Sequence, residues 1–256
     1  MITSPDNERV KYVRSLYTKK KRYEGRAFVV EGVRLLEEAI EAGTKFEIVL
    51  YYSETLSRTP RGLDLLGKVG SAAVPVTERV LKSVSDTVAP QGIVAVVPFP
   101  EEPARVEGAL ALVVDRVQDP GNLGTILRTA AAAAVKAVIT TRDTVDPFSP
   151  KAVRAGMGAH FQLGLFVDRD WSEIERLVAG RTVFLASAGL GKTYYQLDWT
   201  LPSALIIGSE ASGISEGAKQ VATTAVNVPM VPGAESLNAA VAAGILIFEA
   251  FRQQSK

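Results

Sequence analysis

Apolar residues recur at helical spacing through 7–18, where Val10, Val13, Leu16 and Tyr17 share one face. Short apolar runs then alternate with further helical stretches. AFVVEG (27–32) predicts a strand turning into a helix over 33–42 that Gly43 closes, and FEIVLYY (46–52) predicts a second strand. A helix over 63–68, the apolar AAVPVT, a short helix over 78–84 and a strand over 92–98 complete a small α/β layer. The stretch 98–108, PFPEEPARVEG, is proline-rich and acidic without periodicity, so it predicts a linker between two domains, 1–98 and 109–256, with 99–108 as the connection.

The alternation then restarts more regularly. ALALVVD (109–115) is a continuous apolar run, the pattern of a buried parallel strand, and it leads through RVQDPGN into a helix over 123–135. KAVITT, QLGLFV, TVFLAS and ALIIGSE predict further strands, with a helix from 151 behind Ser149 and Pro150, another over 171–179, and a long Ala-rich one over 237–253 that opens with Ser236 and Asn238 in its first turn. Strand and helix repeated this way predict an α/β fold with a parallel sheet covered on both faces. Ligands bind such sheets at the carboxyl ends of the strands. The site is therefore expected in three loops: after Asp115, after Ile207 and before Leu237.

Composition narrows the chemistry. The chain has 256 residues, 47% of them hydrophobic and 22% charged, as a folded chain does, and no run approaches the roughly 18 uninterrupted apolar residues of a membrane span. The first residues lack the apolar core of a secretory signal, and zero cysteines fit a cytoplasmic location. With no Cys and one His (His160), thiolate zinc sites, Cys nucleophiles and multi-histidine metal centres are excluded, and no metal is expected. His160 reads as structural or RNA-facing before it reads as catalytic.

The net charge of +1 hides an asymmetry. Residues 1–26 carry eight basic side chains (Arg9, Lys11, Arg14, Lys19, Lys20, Lys21, Arg22, Arg26) against three acidic ones, with Tyr12, Tyr17 and Tyr23 interleaved. Basic charge attracts phosphate and tyrosines offer stacking faces, a combination suited to RNA; a solvated helix face followed by a basic loop would give the same pattern.

Three stretches carry candidate chemistry. In DRVQDPGNLGTILR (115–128), Asp119 and Pro120 start a helix, and Arg128 with Asn122 at the sheet's carboxyl edge suits a phosphate, although an ordinary surface arginine fits as well. In IIGSEASGIS (206–215), a buried strand runs into Gly208-Ser209-Glu210, which suits an adenosine or ribose ligand or a simple glycine-rich turn, and is not the dinucleotide fingerprint. In VNVPMVPGAESLNAAVAAG (226–244), two prolines bend a loop before a helix whose small residues allow close packing.

In this order and spacing, NLGTILRTA, IIGSEASGIS and VPMVPGAESLNAAVAAGILIFEAFRQ closely resemble the three motifs of the SpoU (TrmH-like) family of RNA ribose 2′-O-methyltransferases, within the knotted SPOUT class. The resemblance covers 109–253. SPKAVRAGMGAH (149–160) looks like another family segment, in which Ser is more usual at the position of Gly156. The first hundred residues resemble, less specifically, the ribosomal-protein-L30e-like substrate-binding domain of that family.

The resemblance implies S-adenosylmethionine as cofactor, a homodimer formed through helices that include the C-terminal one, and a deep trefoil knot, with the threaded segment placed around 205–240. It matches Asn122, Arg128, Ser236 and Asn238 to catalytic positions, and Gly208, Glu210, Val228, Met230 and Leu237 to the cofactor pocket. Arg9, Lys11, Lys19, Lys20, Lys21, Arg22 and Arg154 are assigned to RNA. Ala211 stands where the family commonly has Gly, which bears on affinity more than on activity. The implied function is methylation of a ribose 2′-OH, in ribosomal (23S) RNA rather than tRNA because of the N-terminal domain. A base N-methyltransferase of the same class and a non-catalytic RNA-binding protein are the competing readings. A ribose hydroxyl is a weak acid, and no conventional base is at hand. Arg128 is therefore expected to orient and activate it while Asn122, Ser236 and Asn238 fix the geometry.

Overall fold

The computed structural model describes residues 1–209, 213–233 and 235–255. Its contacts divide the chain into two units, Met1–Pro100 with Phe148–Phe161, and Glu101–Pro147 with Gln162–Lys256.

The N-terminal unit opens with α1 (Glu8–Ser15), capped by the Asn7 side chain, which accepts from Arg9 N at 3.0 Å. The lysine run does not form a loop. It winds into α2 (Lys19–Gly25), ended by Arg26 in the left-handed conformation at φ 48°. Then follow β1 (Ala27–Glu31), α3 (Val33–Glu41), β2 (Ile48–Tyr51), α4 (Ser53–Leu56), α5 (Pro60–Val69), β3 (Ala73–Pro75), α6 (Glu78–Val84) and β4 (Ile93–Pro98). The four strands order β1-β4-β2-β3, antiparallel except for β2 with β3. Val10, Val13 and Leu16 from the first helix and its C-cap pack with Val29, Leu50, Val80, Val84, Val94 and Val96, the face the sequence spacing marks as apolar.

The second unit begins with β5 (Leu110–Val114), α7 (Pro120–Ala132) and β6 (Ala137–Thr141). The helix over 123–135 expected from periodicity starts and stops three residues earlier. The Asp119 side chain accepts from Asn122 N at 2.8 Å, Pro120 fills the first turn, and Ala134 at φ 56° follows the end.

The chain next contributes α8 (Pro150–Gly156) to the N-terminal unit, which a division read along the sequence does not reveal. Aromatic packing is the cause. Phe148 stacks on Phe99 at 4.0 Å between centroids and lies 5.2 Å from Phe28, while His160, 1% exposed, sits 6.0 Å from both Phe28 and Phe148. His160 is thus a core residue, not an RNA-facing one. Ser149 stands at the N-cap without a side-chain cap bond.

The remaining elements are β7 (Gly164–Arg169), α9 (Trp171–Leu177), β8 (Thr182–Ala186), β9 (Lys192–Thr193), β10 (Ser203–Ile207), α10 (Glu216–Val221), β11 (Thr224–Asn227) and α11 (Ala239–Gln254). All pairs in the seven-stranded sheet, ordered β7-β6-β5-β10-β8-β11-β9, are parallel. β5, β6 and β10 are buried at every position, so apolar residues fill them without alternation, wholly in β5 and broken only by Thr140 and Thr141 in β6 and Ser203 in β10. The segment ahead of β5 is held by Arg181, whose guanidinium donates to the carbonyls of Val106, Gly108, Ala109 and Ser203; burial pushes its pKa down.

Candidate active site

The carboxyl ends of β8, β10 and β11 surround a cavity of about 320 Å³, within the size range of small-molecule sites. β8 runs out into Ala186, Ser187 and Ala188, β10 into Gly208 and Ser209, and β11 into Val228 and Met230. Ser236 and Leu237 ahead of α11, and Ala239, Ala242 and Leu246 in its first half, close it. The walls are mainly apolar. Two of the three expected loops therefore build the cavity. The loop after Asp115 supplies none of its described lining, and the turn after β8 was missed; its signal was the Ser187 that follows TVFLA at a strand's carboxyl end.

Of the residues matched to the cofactor pocket, Gly208, Val228, Met230 and Leu237 all line the cavity. Glu210 lies outside the described residues, as does Ala211. Ser236 also lines it, so the structure puts this residue at the cavity wall.

α11 starts at Ala239, not at 237, because Asn238 is its N-cap: the side-chain Oδ1 accepts from Ala240 N at 3.0 Å and Val241 N at 3.3 Å. Ser236 and Leu237 precede the helix. The cap settles which way the Asn238 amide points, since Oδ1 is committed to the helix and Nδ2 must face away. That Nδ2 donates to Asn122 Oδ1 at 3.1 Å, joining the first turn of α7 to the start of α11 across 116 positions. Arg128 lies two turns further along α7, exposed, making no hydrogen bond or ion pair among the described residues. Among the described residues no hydrogen bond joins it to Asn122.

The basic residues assigned to RNA lie in the N-terminal unit. Arg9, Lys11, Lys19, Lys20 and Lys21 are exposed. Lys11 pairs with Glu8 at 3.2 Å and Lys21 with Glu24 at 2.7 Å, and Arg154 on α8 pairs with Asp86 at 2.8 Å. Arg22 departs from the expectation. It is 3% exposed and its Nη1 donates to Leu16 O at 2.7 Å, so it anchors the turn between α1 and α2 instead of facing solvent.

The tyrosines also turn inward. Tyr12 donates to Glu47 at 2.9 Å, and burial with that carboxylate pushes its pKa up to about 12. Tyr17 donates to Val84 O at 2.6 Å, with its pKa raised chiefly by burial, and Tyr23 meets Phe99 edge-on. The face they were expected to offer for stacking is largely used by the fold.

The model of the SpoU rRNA Methylase family matches residues 109–248, and that of the MRM3-like substrate binding domain matches 7–95. The chain is 35% identical to the 23S rRNA (guanosine(2553)-2′-O)-methyltransferase RlmP of Bacillus subtilis, over 96% of this chain and 97% of that one. Among solved structures it resembles an AdoMet-bound rRNA methyltransferase from Sinorhizobium meliloti (32% identity, TM-score 0.85, covering 98% of this chain and 97% of that one). It also resembles the SpoU methyltransferase AviRb from Streptomyces viridochromogenes in complex with AdoMet (28% identity, TM-score 0.89, covering 98% and 99%).

Proposed function

The chain belongs to the SpoU rRNA methylase family, and from that premise we propose that it methylates a ribose 2′-OH of ribosomal RNA with S-adenosylmethionine as methyl donor. The observation that carries the reading is the cofactor-sized cavity at the ends of β8, β10 and β11 with the Asn122–Asn238 pair beside it. Val228, Met230, Leu237 and Leu246 provide apolar surface for the faces of an adenine, while peptide groups at Gly208 and Ser209 provide polar partners for the rest of the molecule. The bound cofactor supplies an electrophilic methyl group on a sulfonium.

Arg128 then orients the ribose hydroxyl and stabilises charge developing on its oxygen; a charged guanidinium has no lone pair with which to take the proton, so as the O–CH3 bond forms and the S–CH3 bond of the donor would break to leave a thioether, the proton passes to solvent water. Asn122 and Asn238, fixed by the cap, set the position of the hydroxyl, and Ser236 borders the cavity from the same side. Removing the Met230 side chain deletes apolar contact worth about 1.5 kcal/mol, so Met230→Ala is expected to weaken cofactor binding roughly tenfold in equilibrium dialysis.

RNA binding is assigned to the N-terminal unit, through Arg9, Lys11, Lys19, Lys20, Lys21 and Arg154. Ribosomal RNA is favoured over tRNA because the full-length relative acts on 23S rRNA and the N-terminal match covers 7–95. A trefoil knot in the C-terminal half and a cytoplasmic site of action belong to the same proposal. Among the described residues no helix is long and apolar enough to cross a membrane.

A homodimer through α11 is supported by Val241, Phe248 and Phe251, which are 51%, 47% and 37% exposed and share one face of the helix. Phe248→Asp is expected to convert a dimer to a monomer in light scattering at micromolar concentration. The whole reading is tested by calorimetry with S-adenosylmethionine and by transfer of labelled methyl to 23S rRNA and to tRNA. Cofactor binding with label in the ribosomal RNA supports it, and absence of cofactor binding overturns it.

A further inference from the structure

We propose that Arg116 is a positioning residue that holds the wall of the cofactor cavity in its binding shape, an inference that rests on the cofactor reading above. Arg116 directly follows the buried Asp115 at the end of β5 and adopts φ 56°, a left-handed conformation that a non-glycine residue keeps only when its surroundings impose it. Here they do. Its N–H donates to both Thr141 Oγ1 and Thr144 Oγ1 at 3.0 Å, and Thr144 Oγ1 in turn donates to Val114 O at 3.0 Å. Glycine would meet this backbone requirement without strain, so the arginine side chain calls for a reason of its own.

The side chain supplies one. Nη2 donates to Gly213 O at 3.1 Å, reaching 97 positions along the chain, and Nε lies 3.7 Å from the carboxylate of Asp115, which is 1% exposed and makes no hydrogen bond among the described residues. The buried carboxylate sets the direction of the guanidinium, because a charge removed from water is tolerated only beside a counter-charge. The guanidinium then fixes the carbonyl of Gly213 through a charge-assisted hydrogen bond.

Gly213 lines the cofactor cavity and pairs with Ser209, a second lining residue, in an antiparallel bridge. β5 lends no described residue to the lining. The arginine that follows β5 nevertheless pins Gly213, which does line the cavity. A wall held in place before the ligand arrives lowers the ordering cost of binding, so the tether acts on affinity and not on the chemical step.

The test compares Arg116→Gly and Arg116→Lys with the unaltered protein. Glycine suits the backbone and removes the tether; lysine keeps the charge but not the fork. Arg116→Gly is expected to raise the calorimetric dissociation constant for S-adenosylmethionine about tenfold or more, the loss of one charge-assisted contact, with kcat at saturating cofactor within about twofold. Hydrogen exchange in the peptide spanning 205–215 should speed up without cofactor, and Arg116→Lys should recover part of both effects.

Unchanged affinity and unchanged exchange in Arg116→Gly would overturn the tether while leaving the methyltransferase reading intact. A fall in kcat and melting temperature together, with affinity retained, would also overturn it and mark the residue as merely structural. Failure of the unaltered protein to bind S-adenosylmethionine would instead overturn the reading on which the tether rests.

Discussion

Arg128→Ala is expected to reduce methyl transfer by roughly 10²–10³-fold while leaving the affinity for S-adenosylmethionine and the melting temperature unchanged. The three parts of that expectation have separate physical grounds. Arg128 is exposed on α7 and makes no ion pair or hydrogen bond among the described residues, so its removal costs the fold no more than about 0.5 kcal/mol. It is not among the residues lining the cavity, so the cofactor loses no contact. What disappears, on the proposed mechanism, is a planar, permanently charged fork that would stand beside the reacting ribose, grip a phosphate and stabilise an oxygen gaining negative charge. Arg128→Lys retains the charge without the fork and should recover only a small part of the activity. Single-turnover transfer under saturating cofactor isolates the chemical step from binding. Near-normal transfer by Arg128→Ala would remove this residue from the mechanism.

Asn238→Asp is expected to separate stability from catalysis. Its Oδ1 caps α11, and an aspartate caps as well as an asparagine while adding favourable negative charge at a helix N-terminus. The melting temperature should therefore hold or rise. The other half of the amide is lost. Asn122 Oδ1 then faces a carboxylate oxygen where it had a donor at 3.1 Å, and two acceptors repel. The link between α7 and α11 opens, and transfer should fall by about 10²-fold, an effect of the size seen when a positioning contact is displaced. Asn238→Ala loses the cap as well, about 1 kcal/mol, and should both melt lower and transfer poorly. Activity retained in Asn238→Asp would show that the amide pair serves the helix alone.

The parts of the fold that were legible in the sequence are those where a local rule agrees with the global packing. β5 and β10, buried on both faces, announce themselves as apolar runs, and Asp119-Pro120 marks the start of α7. β9 and β11 escaped notice, being two and four residues long, and β11 is followed directly by a proline-containing loop. The membership of α8 in the N-terminal unit depends on Phe28, Phe99 and Phe148 meeting, a long-range event with no local signal.

At the site, Gly208, Val228, Met230 and Leu237, which the family motifs match to a cofactor pocket, line one cavity. Three features of the site leave no local mark in the sequence: the Asn122–Asn238 bond, the inward turn of Arg22, and the reach of Arg116 to Gly213. An arginine in sequence carries no mark of whether it points to solvent, to a carbonyl or to a buried carboxylate. Tyr12, Tyr17 and Tyr23 make the same point, since a tyrosine beside lysines can offer a stacking face or, as here, spend its hydroxyl or ring inside the fold.

Methyl transfer to a ribose hydroxyl has a direct chemical readout. Ribosomal RNA methylated by the protein with labelled S-adenosylmethionine is hydrolysed in alkali, which requires a free 2′-OH, and the labelled product is identified by mass. The label is expected to survive in a single alkali-resistant dinucleotide carrying a 2′-O-methylribose. Label released in a mononucleotide methylated on its base would contradict it.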